Sequence, residues 1–318
     1  MSPSILGIHH VTAIGSDPQR NFDFYSGVLG LRLVKMTVNF DDPGSYHFYY
    51  GDGAGSPGTI LTFFLWPGAR RGRPGSGQVT HTAFAIPPGS LAYWENRLQD
   101  AKVAIGKPLD RFGQTALPFM DHDGMRIELI ETPDVDSNRT WSGGGVPTAS
   151  AIHGFHSATI TAADPRETSA LLVDTLGFRQ TGEDTNRLRF EAGQGGAGQS
   201  VDILSVPESP AGRIAVGSVH HIAWRAPDDA QQQGWLSKLG DSGYDSSPVM
   251  DRTYFHSIYF REPGGVLFEI ATDQPGFAVD EALENLGSSL RLPLWLEPQR
   301  GTLEEVLPPL NRRVGAVA

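Results

Sequence analysis

Two histidines and one glutamate of the 318-residue sequence have side chains of the types that can bind metal ions, and each lies at a repeated position of the chain. They are His10, His221 and Glu269. Two neutral imidazoles and one carboxylate are typical ligands of non-haem Fe(II), and they also suit a catalytic zinc ion. Three protein ligands leave coordination positions open, as oxygen chemistry at Fe(II) requires. Because the sequence contains no Cys, thiolate ligands and cysteine nucleophiles are excluded.

The repeated positions belong to an internal repeat of the whole chain. Segment 8–34 matches segment 155–181 at one constant offset, and segment 79–86 (VTHTAFAI) matches 219–226 (VHHIAWRA). Each copy begins with an alternating strand pattern, continues through an amphipathic segment and ends in three short strands rich in β-branched and aromatic residues. We therefore predict an α+β fold of βαβββ modules. The four modules lie at about residues 6–67, 78–133, 152–206 and 218–273.

Equivalent positions of the modules carry different side chains. The first strand of successive modules carries His10, His81, Ser157 and His221, and the last strand carries Thr62, Glu128, Asp202 and Glu269. Since Thr62 is not a typical metal ligand, the set that contains His10 has only three side-chain ligands. The set of His81, Glu128 and Asp202 has a single imidazole, so we predict hydrogen-bonded structure there rather than a metal ion.

The order of the modules predicts two tandem domains. The N-terminal domain covers residues 1–140, a Gly-rich linker covers 141–151, and the C-terminal domain covers 152–275. A tail, 276–318, follows the last module, and we predict one helix in it at 279–286. The Gly-rich segment 193–200 lacks the lysine and the helix of a phosphate-binding loop, so we predict a hairpin turn.

Composition excludes several classes of partner. The 25 Lys and Arg against 36 Asp and Glu give a formal charge of −11, which disfavours binding to nucleic acid or to anionic membranes. No apolar run approaches the roughly 20 residues that span a bilayer, and the N-terminus lacks the pattern of a signal peptide. We expect a cytoplasmic protein with small-molecule substrates. Matching exposed strands could pair copies into a homo-oligomer, but composition does not determine the oligomeric state.

The modules and the two-histidine, one-glutamate set resemble the vicinal oxygen chelate (glyoxalase/extradiol dioxygenase) superfamily. Segment 259–269 (YFREPGGVLFE) is similar to the signature of extradiol ring-cleaving dioxygenases, in which the last Glu is a metal ligand. Enzymes of the catechol type carry a His several residues before the Tyr of this signature, whereas Arg252 stands in that window here. Together with the doublets His9-His10 and His220-His221, this arginine resembles the hydroquinone (chlorohydroquinone-type) ring-cleaving dioxygenases over nearly the whole chain.

That resemblance implies an Fe(II) dioxygenase, with Mn(II) as the alternative metal, that cleaves small 1,4-dihydroxybenzenes with O2. It implies His10, His221 and Glu269 as the metal ligands, held between modules 1 and 4. It implies that the remaining site residues line or support the substrate pocket: His9, Thr12, His220, Arg252 and Tyr259. We expect His220 to act as acid and base, because a histidine pKa lies near neutral pH, and Arg252 to stabilise negative charge.

Other activities of the same fold remain alternatives. A catechol dioxygenase with an unusual pocket would use the same ligands, whereas a glyoxalase-like metal isomerase would normally use a fourth one. A metal-free binding protein would need none of the three. One conflict also remains in the strand pattern: successive strand residues point to opposite faces, so His9 and His220 are expected to point away from their neighbours. We interpret four further histidines as structural or surface groups and leave His256 open: His47, His122, His153 and His156.

Overall fold

The computed structural model describes residues 3–136 and 139–312, and over them the predicted βαβββ module recurs four times. Module 1 contains β1 (Ile8–Gly15), α1 (Pro18–Phe22), β2 (Arg32–Asn39), β3 (Asp42–Gly51) and β4 (Ile60–Leu65). Module 2 contains β5 (Gln78–Ile86), α2 (Leu91–Asp100), β6 (Leu109–Arg111), β7 (Gln114–Met120) and β8 (Arg126–Glu131). Module 3 contains β9 (Phe155–Ala162), α3 (Arg166–Ala170), β10 (Arg179–Asp184), β11 (Arg187–Glu191) and β12 (Ser200–Ser205). Module 4 contains β13 (Ser218–Ala226), α4 (Asp229–Asp241), β14 (Met250–Asp251), β15 (Phe255–Arg261) and β16 (Leu267–Pro275).

The modules assemble into two eight-stranded sheets. Modules 1 and 4 form the order β14-β15-β16-β13-β1-β4-β3-β2, and modules 2 and 3 form the order β10-β11-β12-β9-β5-β8-β7-β6. In each sheet the first strands of the two modules are antiparallel at the centre, and each has the last strand of its own module parallel beside it. The candidate ligands therefore meet in the middle of a sheet. Because each sheet combines both halves of the chain, the division into domains at 141–151 stays a prediction.

The start of module 1 shows how its sequence produces the first helix. The Asp17 side chain caps α1 by accepting the Arg20 backbone N–H at 2.8 Å, and Pro18 fits the first helical turn. The helix continues as a π-helical turn, Asp23–Val28, and the chain leaves it at Gly30, whose φ of +72° favours glycine.

Within the described residues, no helix combines the length and the apolar composition needed to cross a membrane.

The longer helices attach to the sheets through tryptophan. Trp94 of α2 and Trp235 of α4 occupy equivalent positions of their modules, and both are fully buried in the main apolar core. Full burial of a side chain this large stabilises the fold by a few kcal/mol, so these contacts fix each helix against its sheet. The hairpin predicted at 193–200 is present, since it joins the antiparallel strands β11 and β12.

The two histidine doublets lie at irregularities of the central strand pair. The pairing between β1 and β13 runs Ile8–Trp224, His10–Ala223, Thr12–His221 and Ala13–Val219. His9 is therefore an extra residue on β1, and His220 is an extra residue on β13. A β-bulge of this kind re-aims side chains locally, which removes the conflict with simple strand alternation.

The tail differs from its prediction. The helix expected at 279–286 is wrong: the segment contains only short 3₁₀ turns, Phe277–Val279 and Leu283–Asn285, and the tail's α-helix lies at α5 (Arg300–Val306). The reason is an ion pair. Lys35 of β2 is fully buried and donates to Asp280 and Glu281, at 2.5 and 2.6 Å, so their side chains fix this segment against the first sheet.

Candidate active site

The three side chains predicted as metal ligands meet in one buried cluster. His10 comes from β1, His221 from β13 and Glu269 from β16, and their ligand atoms all lie within 4.8 Å of one another. The Glu269 Oε2 atom lies 2.9 Å from Nε2 of His221 and 3.3 Å from Nε2 of His10. The two Nε2 atoms are 3.3 Å apart. The three residues are 5% exposed or less, so the cluster is shielded from solvent.

The donor set fits a metal ion. One oxygen of Glu269 accepts a hydrogen bond from Ser257 Oγ, whereas Oε2 makes no hydrogen bond of acceptable geometry among the described residues. Burial by itself raises the pKa of Glu269, but His10 and His221 outweigh it and hold this pKa well below its usual range. An ionised, buried carboxylate oxygen that faces two imidazole nitrogens is an arrangement that a divalent cation satisfies.

A second histidine backs each histidine ligand. Nδ1 of His9 lies 2.9 Å from Nδ1 of His10, and Nδ1 of His220 lies 2.8 Å from Nδ1 of His221. If Nε2 of each ligand is to bind a metal, its proton must sit on Nδ1 and be donated to the neighbouring ring. His9 and His220 then carry their own protons on Nε2. The two bulges thus build the same hydrogen bond on both sides of the cluster.

A cavity of about 440 Å³ opens beside the cluster. It is lined by both histidine ligands and by four of the predicted pocket residues: Thr12, His220, Arg252 and Tyr259. His9 is placed differently from the expectation: it is not a lining residue, and it packs behind His10 against Phe255. Its position suits orientation of His10 rather than contact with a substrate. Half of the remaining lining residues are Phe, Tyr or Trp: Phe40, Tyr49, Phe64, Trp66 and Phe255.

Arg252 enters the cavity held by two partners. Its Nε atom donates to the hydroxyl of Tyr259 at 3.1 Å, and Nη1 lies 3.6 Å from the exposed carboxylate of Asp41. Burial, with the nearby charge of Glu269, raises the pKa of Tyr259 well above its usual value, so the phenol keeps its proton. The guanidinium is therefore a fixed positive charge in the wall of the cavity.

His220 is neutral in this environment. Burial, followed by the charge of the neighbouring His221 ring, lowers the pKa of His220 to about 3. This differs from the expectation of a pKa close to neutral, because a sequence does not show how strongly the folded chain desolvates a side chain. The ring enters the cavity as a hydrogen-bonding group with one proton.

Among the side chains of the cavity wall that sequence reasoning missed are His47 and Tyr49. His47, interpreted above as structural or surface, is buried and lines the cavity. Its Nε2 atom lies 2.9 Å from Oγ1 of Thr62, and the Tyr49 hydroxyl lies 3.0 Å from Nδ1. The signal that could have found them is the repeat itself, since the equivalent positions in module 3 are two arginines, Arg187 and Arg189.

The other histidines lie outside this wall. The cavity is not lined by any of His122, His153, His156 and His256. His256, which the sequence left open, lies 2.7 Å from the exposed carboxylate of Asp229 on α4. His153 bonds through Nδ1 to a backbone carbonyl at 2.7 Å. Their surroundings agree with structural or surface roles.

The second sheet contains the equivalent cluster with arginines in place of an open cation site. Arg111 binds Glu128 through Nη2 at 2.6 Å and Nε at 3.2 Å. Arg187 and Arg189 both bind Asp202, with distances of 2.8 to 3.0 Å. The carboxylates already have positive partners, so the prediction of hydrogen-bonded structure rather than a metal site agrees with the observed contacts.

Comparison with known proteins places the chain in a family. The sequence profile of the Glyoxalase/Bleomycin resistance protein/Dioxygenase superfamily matches residues 7–129 and 154–270. The chain belongs to this superfamily, and the resemblance inferred from its motifs is confirmed.

The chain is also similar to individual proteins that are named as ring-cleaving dioxygenases. The chain is 46% identical over 315 residues to a Bacillus subtilis (strain 168) protein named "Putative ring-cleaving dioxygenase MhqO", covering 98% of this chain and 99% of that one. It is 34% identical over 313 residues to the chlorohydroquinone/hydroquinone 1,2-dioxygenase of Sphingobium indicum (strain UT26), covering 96% of each. A crystal structure described as a putative dioxygenase from Bacillus subtilis superposes with a TM-score of 0.94 at 46% identity, covering 98% of this chain and 99% of that one.

Proposed function

We propose that this protein is an Fe(II)-dependent dioxygenase that opens the ring of 1,4-dihydroxybenzenes (hydroquinones) with O2. The observation that carries the proposal is the buried set of two histidines and one carboxylate beside an aromatic-walled cavity that also contains Arg252. Three ligands leave room for a substrate oxygen and for O2, as this chemistry requires. The names of the relatives, one of them a chlorohydroquinone/hydroquinone dioxygenase, support the same activity.

The triad would hold the metal through Nε2 of His10, Nε2 of His221 and Oε2 of Glu269. Fe(II), when bound, supplies the one-electron chemistry that lets an aromatic ring react with O2, and it lowers the pKa of a coordinated phenol. Mn(II) accepts the same ligand types, so the choice of iron stays part of the proposal. The cytoplasmic location and a homo-oligomeric state also stay predictions.

The remaining residues of the cavity stabilise charge on the substrate and form hydrogen bonds with it. Arg252 cannot readily lose its proton, and its hydrogen bond to Tyr259 fixes the orientation of the guanidinium. Arg252 therefore stabilises negative charge that develops on a substrate oxygen. His220 holds a proton at Nε2 in the tautomer that frees His221 for a metal, and it lines the cavity. In this tautomer Nε2 is a hydrogen-bond donor, so we assign His220 a hydrogen bond to a substrate oxygen rather than the uptake of a proton. Phe255 and the other aromatic side chains exclude water and pack against a planar ring.

Oxygen uptake tests the proposal. The purified protein is loaded with Fe(II) without air, and O2 consumption is recorded with hydroquinone, chlorohydroquinone, methylhydroquinone and catechol in turn. We expect stoichiometric O2 uptake with the hydroquinones and little with catechol. Uptake with catechol alone would retain the metal site and overturn the substrate class. If no ring supports uptake although the metal is bound, the dioxygenase proposal is wrong and a glyoxalase-like isomerase becomes the leading alternative.

A further inference from the structure

Four polar side chains beside the triad form a continuous hydrogen-bonded chain that the activity described above does not use. The chain runs from Tyr49 to His47, from His47 to Thr62, and from Thr62 to Thr12. Its three distances are 3.0, 2.9 and 2.9 Å. All four side chains are buried, and three of them line the cavity: Thr12, His47 and Tyr49.

Geometry determines the direction of the Thr62–Thr12 and His47–Thr62 hydrogen bonds, and a neutral His47 ring determines that of the Tyr49–His47 bond. The Thr62 hydroxyl donates its one proton to Oγ1 of Thr12, so it can only accept from His47. Nε2 of His47 must therefore carry a proton. Burial, followed by the charge of His221, keeps the pKa of His47 well below its usual value, so the ring has a single proton and Nδ1 accepts from Tyr49.

The last hydroxyl of the chain remains available as a donor. Thr12 accepts from Thr62 and, among the described residues, donates to no protein acceptor. Thr12 pairs with His221 across the central strands and lies two residues after His10 on β1. Its proton is therefore free to reach an acceptor in the cavity next to both histidine ligands.

We infer that Tyr49, His47 and Thr62 are positioning residues that make the Thr12 hydroxyl a one-way hydrogen-bond donor to a substrate oxygen beside the triad. This inference rests on the proposed function for the identity of that oxygen, a phenolic oxygen of the ring. The chain itself follows from the contacts alone. Without it, the Thr12 hydroxyl could rotate and donate back to Thr62, and the substrate oxygen would lose a partner.

The second sheet supports a specific role for this chain. There the equivalents of His47 and Thr62 are Arg187 and Asp202, and Arg187 donates to Thr159, the equivalent of Thr12, at 2.8 Å. The same backbone frame thus accommodates a closed ion pair. In the first sheet the same positions hold neutral side chains instead. Each donates its hydrogen bond to the next residue toward Thr12, and none adds a charge beside Glu269.

The test combines magnetic resonance with kinetics. Histidine ¹⁵N shifts of the metal-free and Zn(II)-loaded protein report which nitrogen of His47 is protonated, and we expect Nε2. Tyr49→Phe removes the donor to Nδ1, so we expect a mixture of tautomers. Tyr50→Phe is the matched control: this buried hydroxyl of the same strand donates to Asn21, away from the chain, and its loss leaves His47 unchanged.

Kinetics of the Fe(II)-loaded protein test the effect on substrate. Thr12→Val and Tyr49→Phe are each expected to lower kcat/KM for a hydroquinone about tenfold, the effect of one hydrogen bond, with metal content unchanged. The double variant is expected to lose no more than Thr12→Val alone, because Tyr49 acts only through Thr12. His47→Gln, which retains a donor toward Thr62, is expected to recover most of the activity that His47→Phe loses.

Two results would overturn the inference. One is a His47 ring protonated at Nδ1 in the unaltered protein; the other is a double variant whose losses multiply. These outcomes are separate from failure of the proposed function. If the unaltered protein consumed no O2 with any ring, the proposed function would be wrong, and the ¹⁵N shifts would still decide whether the one-way chain exists.

Discussion

Glu269 and Glu128 occupy the same position in modules 4 and 2, yet only Glu269 has a carboxylate oxygen that faces an open cation site. Both residues lie on the last strand of their module, beside a first strand that carries a histidine. Arg111 binds both oxygens of Glu128, whereas Oε2 of Glu269 makes no hydrogen bond among the described residues. One duplicated frame has thus produced an open cluster of a carboxylate and two imidazoles in one sheet and an internally neutralised arrangement in the other.

The symmetry of the first sheet predicts which substitution would add a fourth ligand to the three-ligand cluster. Thr62 pairs with Thr12 as Glu269 pairs with Ala223, so Thr62→Glu places a carboxylate at the position of a fourth ligand. We expect this variant to bind a divalent metal at least as well as the unaltered protein and to lose O2 uptake about 100-fold or more, because a coordination position is filled. Metal analysis and an oxygen electrode measure both effects. Thr62→Val, expected to lose only about tenfold, is the control, and a fully active Thr62→Glu would contradict the open three-ligand site.

Arg252 is expected to set the preference between ring types. Arg252→His removes a permanent positive charge from the cavity wall, and we expect kcat/KM for hydroquinone to fall roughly 10- to 100-fold, the effect of one charge-assisted hydrogen bond, while the ratio of catechol to hydroquinone turnover rises. Arg166→Gln is the control, since it also removes an arginine charge, but from a surface pair with Asp164 that does not line the cavity. An unchanged preference would show that Arg252 does not select the substrate.

Stability is expected to fall in mild acid because of two histidines in the second sheet, the buried His156 and the partly buried His81. Burial lowers the pKa of both His81 and His156 to about 4, below the unfolded value of 6.5. The unfolded chain therefore binds protons first, so stability present above pH 6.5 is lost as the pH falls from 6.5 to about 4. Each residue contributes at most about 3 kcal/mol to this loss. Denaturant unfolding of His156→Gln is expected to show a shallower pH dependence, and a slope equal to that of the unaltered protein would contradict this explanation.

The ion pairs between Lys35 and the tail are expected to contribute to the free energy of unfolding. Lys35→Met leaves the buried Glu281 carboxylate without its closest cation, and we expect the free energy of unfolding to fall by about 3 kcal/mol. Arg300→Gln is the control, because its pairs with Glu297 and Glu304 are partly exposed and are worth less than about 1 kcal/mol. Equal losses for the two variants would show that Lys35 is not the main anchor of the tail.

Much of the fold and of the candidate site could be predicted from the sequence because the chain is duplicated. The repeat determines the number of modules, and the type of side chain at equivalent positions distinguishes His10 and His221 from Ser157. The alternation rule could not place His9 and His220, since a β-bulge depends on pairing between strands distant in sequence. His47 was missed for a similar reason: Tyr49 is near it on the same strand, but its partner Thr62 lies beside it only when β3 and β4 pair.

The most direct test of the account compares Glu269→Gln with Glu128→Gln. Each change removes one carboxylate charge from an equivalent strand position, and the variants are loaded with Fe(II) without air and then given hydroquinone and O2. We predict one Fe(II) per chain and hydroquinone-dependent O2 uptake for Glu128→Gln and for the unaltered protein, with neither for Glu269→Gln. Retention of iron and O2 uptake by Glu269→Gln would contradict the assignment of the metal site to modules 1 and 4.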